Sequence, residues 1–232
     1  EDCLLPPPAY VRRLAADGCH VIVHANRGRA KAEAVVGEIV AGGGSAEAVV
    51  FDITEREPTA TALADLLAAG PIQILVNNAG IHADAVFPGM SGEQWDRVID
   101  VCLNGFFNVT RPLIPPTIRT RWGRVVNISS VAAITGNRGQ VNYSAAKAAL
   151  HAASKSLALE VASRGITVNA VAPGIIATGM ADGAFDAATI RTLVPMQRAG
   201  KPEEVADLVG FLVSDQAAYI SGQVISINGA LI

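Results

Sequence analysis

The stretch Arg124-Val125-Val126-Asn127-Ile128-Ser129-Ser130, the alanine-rich run from Tyr143 to Arg164 that comes after it, and Thr167-Val168-Asn169-Ala170-Val171 beyond decide the fold. The first and last segments are short, apolar and rich in valine, as strands buried on both faces are, and the run between them has helical spacing. Strand, helix, strand is the unit that links parallel neighbours in a sheet. Working outward, the alternation continues: strand-like runs at 20–24, 46–51, 72–76 and 224–227, and helical patterns at 30–41, 59–69, 92–111 and 202–214. The series predicts one α/β domain over residues 1–232, a Rossmann-like doubly wound parallel sheet whose ligands sit at the carboxyl ends of the strands. Residues 173–199 form a long connection with weak periodicity, as lids over a site often do.

Composition narrows the class. With 50% hydrophobic and 17% charged residues, a chain of 232 residues can bury one large core. A formal net charge of −3 gives no general attraction to phosphate backbones, so no nucleic-acid partner is expected. No run approaches the ~18 apolar residues of a spanning helix, so no membrane partner is expected either. Cys3, Cys19 and Cys102 are odd in number and widely spaced, which points away from a disulfide framework or a metal site and toward a reducing, cytoplasmic compartment.

The start of the chain departs from this pattern. Only Cys3-Leu4-Leu5 offers a strand ahead of Pro6-Pro7-Pro8, where a doubly wound sheet normally opens with a buried strand and a glycine-rich turn. Proline has no N–H to offer a phosphate, so the expectation is an atypical or incomplete first strand and loop.

The chemistry centres on Tyr143-Ser144-Ala145-Ala146-Lys147. Four residues apart on a helix, phenol and ammonium share a face, and a nearby cation favours the phenolate, lowering a pKa that starts near ~10. Such a phenol can hand a proton to a carbonyl oxygen. Upstream, Ser130 ends a strand, where its hydroxyl can donate to that same oxygen. At the end of the second strand-like position, His24-Ala25-Asn26-Arg27 lacks the carboxylate that binds a ribose 2′-hydroxyl and offers Arg27 to a 2′-phosphate, favouring NADP(H); Arg27 also reads as a solvated loop residue.

Taken together, Asn77-Asn78-Ala79-Gly80 after a strand, Ser130, Tyr143 with Lys147, and Pro173-Gly174 after another strand resemble the short-chain dehydrogenase/reductase family in order and spacing. The ending Arg198-Ala199-Gly200-Lys201-Pro202-Glu203-Glu204-Val205, with Tyr219-Ile220-Ser221-Gly222 and Asn228-Gly229, looks most similar to the branch that holds 3-oxoacyl-[acyl-carrier-protein] reductases of fatty acid biosynthesis. The resemblance implies Tyr143 as general acid, Lys147 as the residue that tunes it and holds the nicotinamide ribose, and Ser130 as the group that orients the carbonyl. It further implies cofactor contacts from Asn78, Ala79 and Gly80 on the adenosine-ribose side, from Asp52 at the adenine, and from Pro173, Gly174, Ile176 and Thr178 at the carboxamide. Asp52 equally reads as a helix cap ahead of Thr54.

The implied activity is NADPH-dependent reduction of a 3-oxoacyl thioester, carried on acyl carrier protein or CoA, by a homotetramer. A related alcohol or sugar dehydrogenase, and a cofactor-impaired homologue without activity, are the alternatives. Arg121 and Arg164 resemble carrier-docking residues of these reductases, and they also read as ordinary surface arginines. Two features depart from the family: the glycine-rich loop, which nothing before Arg12 matches, and Cys102, which stands where the family has a catalytic Asn. Asn104, two residues on, points elsewhere on the helix and does not substitute for it.

Overall fold

The computed structural model describes residues 7–177 and 186–232, with side chains from Ala9 onward. Among the described residues six strands alternate with helices, as the sequence pattern predicts. In chain order they are α1 (Pro7–Ala16), β1 (His20–Ala25), α2 (Arg29–Ala41), β2 (Ser45–Val50), α3 (Arg56–Leu67) and β3 (Ile74–Asn77). Then come α4 (Gly92–Ile99), α5 (Gly105–Thr120), β4 (Gly123–Ile128), α6 (Ala132–Thr135), α7 (Val141–Val161) and β5 (Ile166–Pro173). The last elements are α8 (Ala187–Leu193), α9 (Pro202–Val213) and β6 (Val224–Ile227).

Every strand pairing is parallel. Among the described residues the strands form two hydrogen-bonded groups, β1 with β2 and β3-β4-β5-β6. One apolar cluster nevertheless spans both groups: Tyr10 and Leu14 of α1, Val21 and Val23 of β1, Val126 of β4, Val171 of β5, and Val205 and Val209 of α9. On the opposite face, Val125, Ile166 and Val168 pack against Ile114 and Ile118 of α5 and Leu157 and Val161 of α7. Helices on both faces explain why β4 and β5 are buried at every position, and so why their sequences read as largely apolar runs.

Three elements differ from the sequence expectation. Helix α1 went unassigned in the sequence, hidden behind its prolines; Pro7 is its first residue, where a missing N–H costs little. Cys3-Leu4-Leu5 and Pro6 lie outside the described residues, as does Thr178. The expected helix over 92–111 is instead α4, a π-helical turn over Asp100–Asn104, and α5, which runs on to Thr120 through Pro112, Pro115 and Pro116. Within the long connection, Asp186 caps α8 by accepting from the Thr189 N–H at 2.6 Å. Among the described residues, no helix is long and apolar enough to cross a membrane, and no cluster of His, Cys, Asp or Glu is placed to hold a metal ion.

Candidate active site

The carboxyl ends of the strands gather the predicted residues. Arg27 follows β1, Asp52 follows β2, Asn78, Ala79 and Gly80 follow β3, Ser130 follows β4, and Pro173 closes β5 with Gly174 and Ile176 beyond. Tyr143 lies in the first turn of α7, and Lys147 sits four residues later on the same face.

Tyr143 is almost wholly buried, and the Ser130 side chain lies near enough to its phenol to favour the ionised form. Burial pushes its phenol well above the ordinary value, and the neighbouring Cys102 and Asp84 act in the same direction; only the nearby Ser130 opposes them. This reverses the direction expected from sequence. The reason is geometric: the Lys147 ammonium stands 5.9 Å from the centre of the Tyr143 ring and donates instead to the Ile128 carbonyl at 2.8 Å. Phenol and ammonium share a helix face as expected, but the loss of water around the phenol outweighs the cation.

Gly80 makes this packing possible. A Cβ at Gly80 would lie 2.8 Å from Lys147 Nζ and 3.5 Å from Cys102 Sγ. Cys102 is buried in the π-helical turn, with its thiol 3.6 Å from the Ile81 carbonyl, a weak contact for sulfur. Asn104 turns to the surface and donates to Asp100 at 2.6 Å, in line with the expectation that it cannot stand in for the family's Asn.

Several positioning residues carried no motif. Asn142 is fully buried, donates to the carbonyls of Ala83 and Gln94 at 3.0 Å each, and accepts from the Tyr143 N–H at 2.8 Å. It thereby fixes the start of α7 against the loop after β3 and against α4. Asn77 donates to Asn127 at 2.7 Å, and Asn127 to Ser154 at 2.8 Å, tying β3, β4 and α7 by polar contacts inside the core. Ser129 donates to the Lys147 carbonyl at 3.0 Å and lies 2.7 Å from His151 Nε2. The only sequence signal was a polar residue in an otherwise apolar run, whose partners are distant in the chain.

Just after β2, Asp52 accepts from the backbone and hydroxyl of Thr54 at 2.9 and 2.7 Å. It closes a turn and does not cap α3, whose N-cap is Glu55. Partial burial works to raise the Asp52 pKa, but these hydrogen bonds, with Arg27 and His24 nearby, bring it below the ordinary value. Arg27 is exposed and within electrostatic reach of Asp52, so the two strand ends meet. Gly174 crosses against Asn228, where a Cβ would approach within 2.7 Å, and Ile176 bridges to Gly200.

The residues at this end of the sheet fit a nicotinamide dinucleotide on one side better than on the other. Lys147, Tyr143 and the close approach at Gly80 suit a ribose and a flat ring. At the start of α1 the first-turn N–H donors are reduced, because Pro7 and Pro8 have none. Arg121 and Arg164, both exposed, are neighbours: the Arg121 guanidinium donates to the Ser163 carbonyl at 3.3 Å. They sit at the amino ends of β4 and β5, the end of the sheet opposite Ser130.

Comparison with known proteins places this arrangement. The family described as enoyl-(acyl carrier protein) reductase matches residues 8–231. The chain is 45% identical to the 3-oxoacyl-[acyl-carrier-protein] reductase FabG of Aggregatibacter actinomycetemcomitans over 96% of its own length and 93% of that protein's. It is 42% identical to the Thermotoga maritima protein of the same name over 82% of this chain and 78% of that one. It is also 41% identical to nodulation protein G of Azospirillum brasilense over 96% of this chain and 92% of that one. With a parallel sheet between two helix layers, and with Ser130, Tyr143 and Lys147 at its carboxyl end, the chain belongs to the short-chain dehydrogenase/reductase family, whose members are oxidoreductases that work with a nicotinamide cofactor.

Proposed function

We propose that this chain reduces the ketone of a 3-oxoacyl thioester, on acyl carrier protein or CoA, to the 3-hydroxyacyl product with NADPH. The observation that carries the reading is the convergence of Ser130, just after β4, with Tyr143 in the first turn of α7 and Lys147 buried one helical turn on. When bound, the dihydronicotinamide would supply the hydride that the carbonyl carbon takes up. Tyr143 gives its phenolic proton to the carbonyl oxygen and recovers one from solvent, and Ser130 donates a hydrogen bond to that oxygen. Because burial keeps the phenol protonated at neutral pH, the proton donor is in its working form. Lys147 holds the ribose side. Arg27, with no acid in His24-Ala25-Asn26, supports a 2′-phosphate and hence NADPH over NADH. The names of the related reductases support the thioester.

The remaining assignments share this status. Asn78, Ala79, Gly80 and Asp52 would contact the adenosine half, and Pro173, Gly174, Ile176 and Thr178 the carboxamide. A homotetramer built on α5 and α7 is supported by exposed Phe107 and Leu159 and by the small residues Ala145, Ala148, Ala149, Ala152 and Ala153 of α7. Carrier docking at Arg121 and Arg164 is supported by their adjacency. Because the 6-residue strand β4, about 20 Å long at ~3.3 Å per residue, separates them from Ser130, a carrier held there would serve the site of a neighbouring copy.

The test is turnover of a 3-oxoacyl thioester, set against a panel of small ketones and sugars, with NADPH and NADH, by the parent and by Tyr143→Phe. A thioester preference that Tyr143→Phe reduces by at least ~10²-fold, with unchanged circular dichroism, is expected. A preferred sugar or simple alcohol would replace the substrate assignment, and near-parental turnover by the Phe variant would remove Tyr143 from the chemistry. A second reading, a non-catalytic homologue with weak cofactor affinity, is favoured by Pro7 and Pro8 at the start of α1. Calorimetric titration with NADPH separates the two.

A further inference from the structure

Successive residues at the end of β4 are each hydrogen-bonded to α7. Asn127 donates to Ser154 at 2.8 Å, the Ile128 carbonyl accepts from the Lys147 ammonium at 2.8 Å, and the Ser129 hydroxyl donates to the Lys147 main-chain carbonyl at 3.0 Å. Lys147 is thus held by its side chain and by its backbone, through neighbours in one strand. Ser130 follows directly, and its oxygen accepts from the Ala132 N–H at 3.1 Å, which leaves its own proton free to donate. The placement of Ser129 therefore bears on Lys147 and on Ser130 together.

A titratable group outside the proposed chemistry also meets this strand end. His151, one turn beyond Lys147 on α7 and half-buried, brings its Nε2 to 2.7 Å from Ser129 Oγ, while Ser129 itself is buried. A serine hydroxyl has a single proton. The Lys147 carbonyl can only accept, so with the serine proton committed there, the contact with the imidazole is a hydrogen bond only when Nε2 carries a proton. The opposite arrangement, with Ser129 donating to a bare Nε2, would set the lone pairs of the serine oxygen against the Lys147 carbonyl at 3.0 Å. Only an Nε2–H satisfies both contacts. Burial, and then the neighbouring Lys155, lower the His151 pKa, so at neutral pH the ring is neutral and has one N–H to place.

We propose that His151 is a positioning residue of this site: its Nε2–H donates to Ser129 Oγ and commits the serine proton to the Lys147 carbonyl, which fixes α7 at Lys147 against the strand end that carries Ser130. It acts on the reacting groups only through Ser129. The kinetic consequence rests on the proposed reaction, whereas the tautomer does not. A misplacement of ~1 Å can cost about 10²-fold in rate, and a link one residue removed from the reacting groups should cost less.

The experiment has two readouts on the full chain. Nuclear magnetic resonance of the isotope-labelled imidazole nitrogens, with His151 assigned by the loss of its signals in His151→Gln, should show the Nε2–H tautomer near neutral pH. His151→Leu removes the donor and is expected to lower kcat about three- to tenfold with KM little changed, whereas His151→Gln, whose amide nitrogen can reach the same point, should stay within about twofold of the parent. Ser129→Ala should cost as much as His151→Leu, and the double variant no more than either, as for residues that act in series. A bare Nε2 in the parent would overturn the proposal. So would an unchanged kcat in His151→Leu, an equal loss in the Gln and Leu variants, or additive losses in the double variant. The tautomer is read on the parent, and Ser129→Ala supplies the kinetic comparison if His151→Leu does not fold. If the parent prefers a sugar or a simple alcohol, the substrate assignment fails, and the same variants are compared on that substrate, so the two failures are distinct.

Discussion

Gly80 and Lys147 are in direct contact, with room for no side chain between them: a Cβ on Gly80 would stand 2.8 Å from the ammonium nitrogen. The same nitrogen is held by the Ile128 carbonyl, so a methyl group at Gly80 displaces it from a fixed hydrogen bond, and the buried Cys102 behind it limits where it can go.

Gly80→Ala is therefore expected to reduce kcat/KM by at least about tenfold, through misplacement of Lys147 beside Tyr143. The cost in stability is expected at roughly 1–3 kcal/mol, in the range of overpacked core positions. Steady-state kinetics and urea unfolding on the same preparation check it. Unchanged kinetics with lowered stability would assign the glycine to packing alone.

Cys102 gives a prediction of the opposite sign. Its thiol is a poor donor to the Ile81 carbonyl, whereas a carboxamide at that position supplies a normal N–H and an acceptor besides. The family resemblance places an Asn here. Cys102→Asn is expected to raise kcat several-fold in protein saturated with cofactor, with little change in KM. A kcat at or below the parental value would show that proton delivery near Lys147 does not limit the rate.

The phenol of Tyr143 predicts an alkaline limb in the stability curve. Its folded pKa is raised above the ordinary value of 10.0, chiefly by burial, so the native state holds this proton more tightly than the unfolded chain does. The associated stability is fully present below pH 10.0 and is lost as pH rises from there toward the folded value. One proton corresponds to a slope of about 1.4 kcal/mol per pH unit. Unfolding free energies of parent and Tyr143→Phe between pH 9 and about 11.5 should differ in slope by up to this amount. Parallel curves would mean that the phenol titrates alike in both states.

The sequence made the sheet legible because β4 and β5 lie between two helix layers, and burial on both faces leaves a largely apolar run. It made the proposed catalytic residues legible because Ser130, Tyr143 and Lys147 come from one βαβ unit. What it concealed depends on tertiary packing. The prolines at 112, 115 and 116 argue for a helix ending near Arg111, since the carbonyls of Asn108, Arg111 and Pro112 lose the N–H that would ordinarily bond them. The helix continues because Leu113 and Thr117 are buried, and Thr117 donates to the Leu113 and Ile72 carbonyls. Asn142 was invisible for a similar reason, because its partners Ala83 and Gln94 lie about fifty residues away. The direction of the Tyr143 shift required the burial of the phenol, which spacing along a helix does not contain.

Arg27 carries the last prediction. It is exposed at the carboxyl end of β1, close enough to Asp52 to help hold that carboxylate below its ordinary value. A 2′-phosphate arriving there meets one cation and one anion, while a 2′-hydroxyl needs an acceptor that residues 24–26 do not offer. The cation should prevail, because Asp52 already spends its Oδ1 on two hydrogen bonds from Thr54 and the guanidinium is free to turn outward. Arg27→Glu removes the charge-assisted contacts to phosphate and supplies an acceptor for the hydroxyl. With each charged hydrogen bond worth roughly 1.5–3 kcal/mol, the ratio of NADPH to NADH affinity should fall by at least about tenfold, with NADPH weakened and NADH strengthened or unchanged. Fluorescence titration of both nucleotides with parent and variant reads this directly. A ratio that the substitution leaves in place would mean that Arg27 is only a solvated surface residue and that cofactor choice is made elsewhere.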